Sequence, residues 1–424
     1  MEVRWREGFD DREFVYSDRP REARWADERV EEELLAAGWE LESSTQTDGN
    51  CCRTYVLAEE RDEGGLYELV FVTNPGVIGP PAKEYRAAVA VRGEWAVCSA
   101  PFGDSVAEVY RLAGNEWVFQ QRLKARYPAD VSWLPAVRFV GDVLLVGTPM
   151  DGAVLRFGMD WVEREALRSE LGNFGLSVAG DGEWTAVNGW NGKRLVTVLR
   201  RSGAGPLRVE TRLESGLDKE SHTVSLCGEW VALAGSGKVH LFRNGVGGWA
   251  YHSSVDGVGG AVALAGERMV VAGEGEAVFF RFREEIWATE GRVGLGELQG
   301  EAFVEWGGDT VAIGFPYCYG AAGVVVLLRE NEGRWAVVQR IQALDGRLGA
   351  RFGESLSLEG EHLMVGAQGV TGGGGCGYIY RRRGQGSKRD TLSIENVWEA
   401  LAFAVNRRNM DYRRNRFASS RLAT

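Results

Sequence analysis

From Val89 to Arg383 the chain alternates apolar and polar residues in short runs, and the runs come in pairs joined by a glycine and an acid. The plainest copy is "LSLEGEHLMVGA" from Leu356; six more are "VAVRGEWAVCSA" from Val89, "VRFVGDVLLVGT" from Val137, "VAGDGEWTAVNG" from Val178, "VSLCGEWVALAG" from Val224, "VALAGERMVVAG" from Val262 and "VEWGGDTVAIGF" from Val304. Apolar residues at every second position put one face of a strand into a core. Glycine then supplies the positive φ of a tight hairpin while the acid stays in water. Each copy therefore predicts a β-hairpin.

The turn glycines, Gly93, Gly141, Gly182, Gly228, Gly266, Gly308 and Gly360, follow at intervals of 48, 41, 46, 38, 42 and 52 residues. That period fits a four-stranded unit repeated around a ring, a β-propeller. A third strand is predicted at "VAEVYRL", "GAVLRFG", "RLVTVLR", "GKVHLFR", "EAVFFRF", "GVVVLLR" and "GYIYRRR". The fourth begins near Trp117, Trp161, Trp249, Trp287 and Trp335, with "PLRVETRL" in the third unit. The seventh unit stops at Arg383 without a fourth strand. "GLYELVFVTN", residues 65–74, offers either that missing strand, which would close the ring and remove an exposed edge, or part of a separate N-terminal module.

The expected architecture is all-β: a seven-bladed propeller of four-stranded blades over residues 65–383, a small α+β extension over 1–64 and a basic helical tail over 384–424. In the extension, "SDRPREARWADERVEEELLAAGWELE" predicts a helix, with Ala26, Val30 and Leu34 at helical spacing and Gly38 as a stop, and "CCRTYVLAEE" a strand. In the tail, Ile394, Val397, Trp398, Leu401 and Val405 share one helical face, followed by Arg407, Arg408, Arg413, Arg414 and Arg416.

Composition sharpens this picture. Glycine makes up 58 of 424 residues, about twice the usual ~7%, yet 44% of the chain is hydrophobic and 15 residues are Trp, as many turns around a large core require. No run reaches the ~18 apolar residues of a membrane span, and the start is charged where a secretory leader is apolar, so a soluble intracellular protein is expected. The six cysteines lack metal or redox spacing and read as reduced thiols. Net charge is −11, with 19 acids against 9 Lys/Arg in residues 1–64 (−10) and 11 Lys/Arg against 4 acids in 381–424 (+7). Head and tail either neutralise each other or the tail serves an acidic partner.

The units resemble FG-GAP repeats, the family that includes the integrin α-chain propeller. The last matches best: Phe352-Gly353, "SLSLEGEHLMVGA", a glycine-rich loop and "GYIYRR"; "NFG" at Asn173, "SAPFG" from Ser99, "VGTPMDGAVLRF" from Val146 and "IGFPYCYGAAGVVVL" from Ile313 are weaker versions. The resemblance spans about residues 86–383. It implies a seven-bladed propeller used for binding, its partner held on one face by inter-strand loops. The family's calcium loops need D-x-D-x-D-G ligand spacing, which no unit has, so no metal and no cofactor are expected.

Little else suggests catalysis. His222, His240, His252 and His362 sit in no metal spacing, and "SVAGDGEW" from Ser177 places its aspartate two positions late for an Asp-box. "VTGGGGCGYIY" has no following Lys-Ser/Thr to cradle phosphate. The loops between strands two and three present Phe102, Trp190, Tyr317 and Tyr319 on one rim, natural interface anchors unless each folds over its own blade. With Trp398 and the five tail arginines they form the expected partner-binding set. For the tail, docking into an assembly, nucleic-acid or anionic-membrane binding, and a solvated end all stay open. The reading is a non-catalytic interaction scaffold binding other protein subunits. The alternative is a carbohydrate-active propeller enzyme, whose carboxylates would converge with a Tyr or His on the channel mouth.

Overall fold

A computed structural model describes residues 66–73, 87–99, 105–124, 136–190, 194–201, 206–214, 223–235, 237–256, 260–343, 349–371 and 374–383, and the backbone of 2–6, 22–23, 39–47 and 50–57. The strands pair in fours. Blade 1 is Val89–Arg92, Trp95–Cys98, Ser105–Ala113 and Glu116–Lys124; blade 2 is Val137–Val140, Val143–Thr148, Ala153–Gly158 and Glu163–Arg168. Blade 3 is Val178–Asp181, Trp184–Trp190, Arg194–Arg201 and Leu207–Glu214; blade 4 is Thr223–Cys227, Trp230–Gly235, Lys238–Gly245 and Gly248–Asp256. Blade 5 is Ala261–Ala265, Arg268–Gly273, Glu276–Arg283 and Ile286–Gly294; blade 6 is Phe303–Gly307, Thr310–Phe315, Val324–Asn331 and Arg334–Ile341. Blade 7 takes Ser355–Glu359, His362–Thr371 and Gly374–Arg382, and its outer strand is Tyr67–Val72 from upstream of blade 1.

Each first strand packs against the first strand of the next blade, and blade 7 returns to blade 1. The buried apolar side chains fall into clusters with one lying in each joint. No blade has a private core. Alternation therefore understates burial at the second strands: Val143–Thr148, Trp230–Gly235 and Thr310–Phe315 are buried along their whole length, because blades cover both faces. Fourth strands border solvent: Arg334–Ile341 alternates between exposed and half-buried, and Glu116–Lys124 is exposed except at Trp117 and Leu123.

The turn glycines adopt φ between 54° and 62°, as the hairpin demands. Their acids stay exposed as expected, and several also pair with an arginine. Glu94 pairs with Arg111 at 3.1 Å, Glu229 with Arg243 at 3.0 Å and Asp309 with Arg329, each arginine coming from the blade's third strand beside the turn. A second repeated device lies at the periphery: every ladder between third and fourth strands shifts register, at Val109/Tyr110, Arg156/Phe157, Val198/Leu199, Leu241/Phe242, Phe279/Phe280, Leu327/Leu328 and Ile379/Tyr380, with a second shift in blade 1 at Ser105/Ala107. Such bulges increase twist and turn the exposed edge away from edge-to-edge pairing.

The phenylalanine-glycine pairs have a packing role. Phe174 and Phe352 are buried, and the glycine after each meets a glycine in the second strand of the preceding blade. A Cβ on Gly147 would lie 1.9 Å from the Gly175 oxygen, and one on Gly314 2.0 Å from that of Gly353. Only glycine permits backbone to rest on backbone there.

At the N-terminus, strands Glu2–Arg6, Glu22–Ala23, Trp39–Thr47 and Asn50–Leu57 form a further four-stranded sheet, so the extension holds more strand than the sequence pattern predicts. Of the helix expected in "SDRPREARWADERVEEELLAAGWELE", Glu22–Ala23 is strand instead, pairing with Glu2–Val3, and residues 24–38 lie outside the described residues, as does the predicted tail helix.

Candidate functional site

The channel is lined by the first strands, and two of their side chains meet across it. Arg138 of blade 2 reaches Glu305 of blade 6 at 2.7 Å, though blades 7 and 1 separate the two around the ring. Beside them Arg92 of blade 1 lies 3.8 Å from Glu359 of blade 7. The Glu305 carboxylate holds the Arg138 guanidinium above its ordinary pKa, while burial pushes Glu359 up against the lowering pull of Arg92 and Arg138. Glu305 and Glu359 thus each face an arginine. Among the described residues no group of three or more His, Cys, Asp or Glu is placed to hold a metal ion.

The described histidines are absorbed by packing. His362 stands edge-on to Trp117, and His252 to Trp230 and Phe282. Burial lowers the pKa of His240 and of His362, favouring neutral rings. His222 lies outside the described residues. The segment that approaches an Asp-box is a joint fastener: the Ser177 hydroxyl accepts from Val224 N–H at 3.1 Å, and Asp181 accepts from Gly228 N–H at 2.7 Å, both across the joint of blades 3 and 4.

Of the expected rim aromatics, Tyr317 and Tyr319 belong to one loop, between strands two and three of blade 6. Tyr317 is exposed, and the Arg351 guanidinium lies 5.1 Å from its ring centre. Tyr319 turns inward against the core shared by blades 5 and 6; burial raises its phenol pKa, and Arg340 bonds to it. The backbone is left-handed at Tyr319 (φ 55°), Ala321 (φ 60°) and Arg351 (φ 50°), and Arg351 N–H donates to the Ala321 carbonyl at 2.8 Å. Non-glycine residues held this way store strain of the sort found at binding loops. Trp190, half-buried, is pinned by reciprocal backbone bonds to Gly172 at 2.7 and 2.8 Å.

So Tyr317, 38% exposed, is the most open of these three, and Tyr319 folds over its blade. Phe102, Trp398, Arg407, Arg408, Arg413, Arg414 and Arg416 lie outside the described residues. Sequence reasoning missed Arg351 and Arg340. Arg351 had a signal in its place directly before Phe352-Gly353, the segment that packs under the blade 6 loop.

Comparison with known proteins adds the fold. No family model matches the sequence, and no curated protein does. Among solved structures, a chain of the mitotic checkpoint complex is 12% identical, with 78% of this chain and 99% of that one covered at a TM-score of 0.54. U3-55K is 14% identical, covering 74% and 99% with a TM-score of 0.53. The Neurospora crassa Pan2 WD40 domain is 12% identical, covering 76% and 98% with a TM-score of 0.52. At such identities the likeness is one of β-propeller fold.

Proposed function

With a channel bridged by its own side chains and an exposed tyrosine, Tyr317, on a strained surface loop, we propose that this chain is a non-catalytic protein-interaction scaffold. The reading extends to a structural subunit or linker of a larger intracellular assembly, bound through the loop rim at Tyr317, Tyr319, Trp190 and Phe102 and through the tail with Trp398 and Arg407, Arg408, Arg413, Arg414 and Arg416. The observation that carries it is the Arg138–Glu305 bridge, which occupies the place where a channel enzyme needs carboxylates free to face substrate. Three structural neighbours give the reading company: by name one is part of a checkpoint complex, one is U3-55K and one is the WD40 domain of Pan2. Among the described residues no helix is long and apolar enough to cross a membrane. Kinship with FG-GAP repeats is part of the same proposal, supported by the buried Phe352 and the Gly314–Gly353 contact.

The test is recovery of partners from native extract by the full chain, by Trp190→Ala/Tyr317→Ala, and by a chain ending at residue 383. Discrete partner proteins should come down with the full chain and be lost with one of the two variants. Hydrolysis of a glycan panel by the full chain, abolished by Glu305→Gln, would overturn the reading.

A further inference from the structure

The rim formed by the glycine-acid turns and the hairpins between third and fourth strands carries two apolar side chains with no cover among the described residues. Val246, at the tip of the blade 4 hairpin, is fully exposed, and Ile286, which opens the fourth strand of blade 5, is 60% exposed. Arg243 ties the two hairpins together, reaching Glu285 at 2.8 Å and Glu229 at 3.0 Å. Exposed carboxylates surround the pair: Glu229 and Glu267 from the turns of blades 4 and 5, Glu284 and Glu285 from the blade 5 hairpin. An apolar step hemmed by acids suits an amphipathic segment with a basic flank.

The chain carries such a segment, and it starts on this rim. The third strand of blade 7 ends here, where Arg382 N–H donates to the Glu361 carbonyl at 2.7 Å and Arg383 N–H to that of Leu66 at 2.9 Å. Each of the last three described arginines already engages a carboxylate on the way out: Arg381 and Arg383 hold Glu68 at 3.0 and 3.3 Å, and Arg382 holds Asp309 at 2.9 Å. Residues 384–424 hold eight Lys/Arg against four acids, net +4, and include the apolar set Ile394, Val397, Trp398, Leu401 and Val405. Extended, residues 384–390 span about 23–25 Å. As a helix, 391–409 would add about 28 Å. Ile286 and Val246 lie two and three blades from the exit. Three inter-strand spacings of ~4.8 Å make each blade about 15 Å deep, so points on the rim of a ring with a narrow channel lie at most about 40 Å apart, within that reach.

We propose that residues 391–416 of this chain dock in cis on that rim, setting their apolar face on Val246 and Ile286 and their arginines against Glu229, Glu267, Glu284 and Glu285. This goes beyond the scaffold reading, since it concerns where the arm rests before a partner arrives, and that reading survives if it fails.

The test uses the full chain with the photo-crosslinking residue p-benzoylphenylalanine at position 246 or, separately, 286, and at 119 as a control on the exposed outer strand of blade 1. Unchanged melting temperatures confirm folding. Irradiation should join 246 and 286, but not 119, to peptides from 391–416 within one molecule, at a yield independent of protein concentration. The yield should fall at least fivefold when Arg407, Arg408, Arg413, Arg414 and Arg416 are all changed to Glu. Adducts with residues 1–64, adducts only between two copies, or no tail adduct would each overturn the proposal.

Discussion

Removing the Arg138 guanidinium tests the channel bridge most directly. In Arg138→Met the Glu305 carboxylate, whose side chain is only 15% exposed, loses the group that bonds it at 2.7 Å. Breaking a buried pair costs about 3–5 kcal/mol and an exposed one at most about 1. With the guanidinium 32% exposed, an intermediate loss of about 2 kcal/mol is expected, a fall in Tm of about 4 °C for a ring of this size. Glu305→Gln should cost less, because the stranded arginine still has Glu359 nearby and more access to water. Arg138→Met/Glu305→Leu removes both charges and should be more stable than Arg138→Met alone, giving a coupling of at least about 1 kcal/mol in denaturant melts. Additive single effects, with coupling under about 0.3 kcal/mol, would show that the two side chains do not meet, and the bridged channel would fall with them.

Asp309 is held down to about 2 by Arg382 first and by Thr310 and Arg329, opposed by burial, so its contribution is present above the ordinary 3.8 and lost as pH falls toward 2. Asp309→Asn should therefore lower Tm at pH 6 and match the parent near pH 2; an equal deficit at both pH values would refute the pairing. Gly314→Ala should cost at least about 3 kcal/mol, because its Cβ would fall 2.0 Å from the Gly353 oxygen, whereas Gly93→Ala, open around its Cβ but at φ 54°, should cost about 1; similar losses would mean the glycine contact relaxes freely. A chain beginning at residue 75 loses the outer strand of blade 7 and the buried Tyr67, and calorimetry should show a markedly lower and broader transition; an unchanged one would mean the ring closes otherwise.

The repeat was legible because its signals are local. A glycine and an acid set between two alternating apolar runs mark a hairpin, and the trace left by Gly93, Gly141 and their counterparts gives the spacing of the blades. The incomplete unit ending at Arg383 likewise pointed back to Tyr67–Val72, since an unpaired edge demands a partner. What stayed hidden depends on closure. Arg138 and Glu305 are 167 residues apart and look like ordinary polar strand positions; only the ring makes them neighbours. The serines that fasten joints, Ser177, Ser225, Ser355 and Ser357, were equally silent, because each accepts from a backbone N–H of another blade. Aromatic rim residues were visible as residue types, but burial of Tyr319 and exposure of Tyr317 are set by a left-handed turn that sequence pattern does not announce.

The seam at blade 7 shows why these unseen contacts gather where they do. Every other blade is a continuous run of chain, while blade 7 borrows its outer strand across about 300 residues, and loop closure of that length has an entropic cost that local pairing does not repay. The seam is accordingly fastened from several directions. Gln339 of blade 6 exchanges two bonds with the Tyr67 backbone, at 2.8 and 2.9 Å, so the borrowed strand is also tied to its neighbour. Ser355 and Ser357 each accept a 3.0 Å bond from blade 1, at Val89 and Val91. On the inner side Arg92–Glu359 crosses the seam, and Arg138–Glu305 spans the blades on either side of it. A ring closed this firmly brings residues 66 and 383 to one point on one rim, opposite the rim that carries Tyr317. On the proposed scaffold reading, the termini and the Tyr317 loop would then engage partners from opposite faces of the ring.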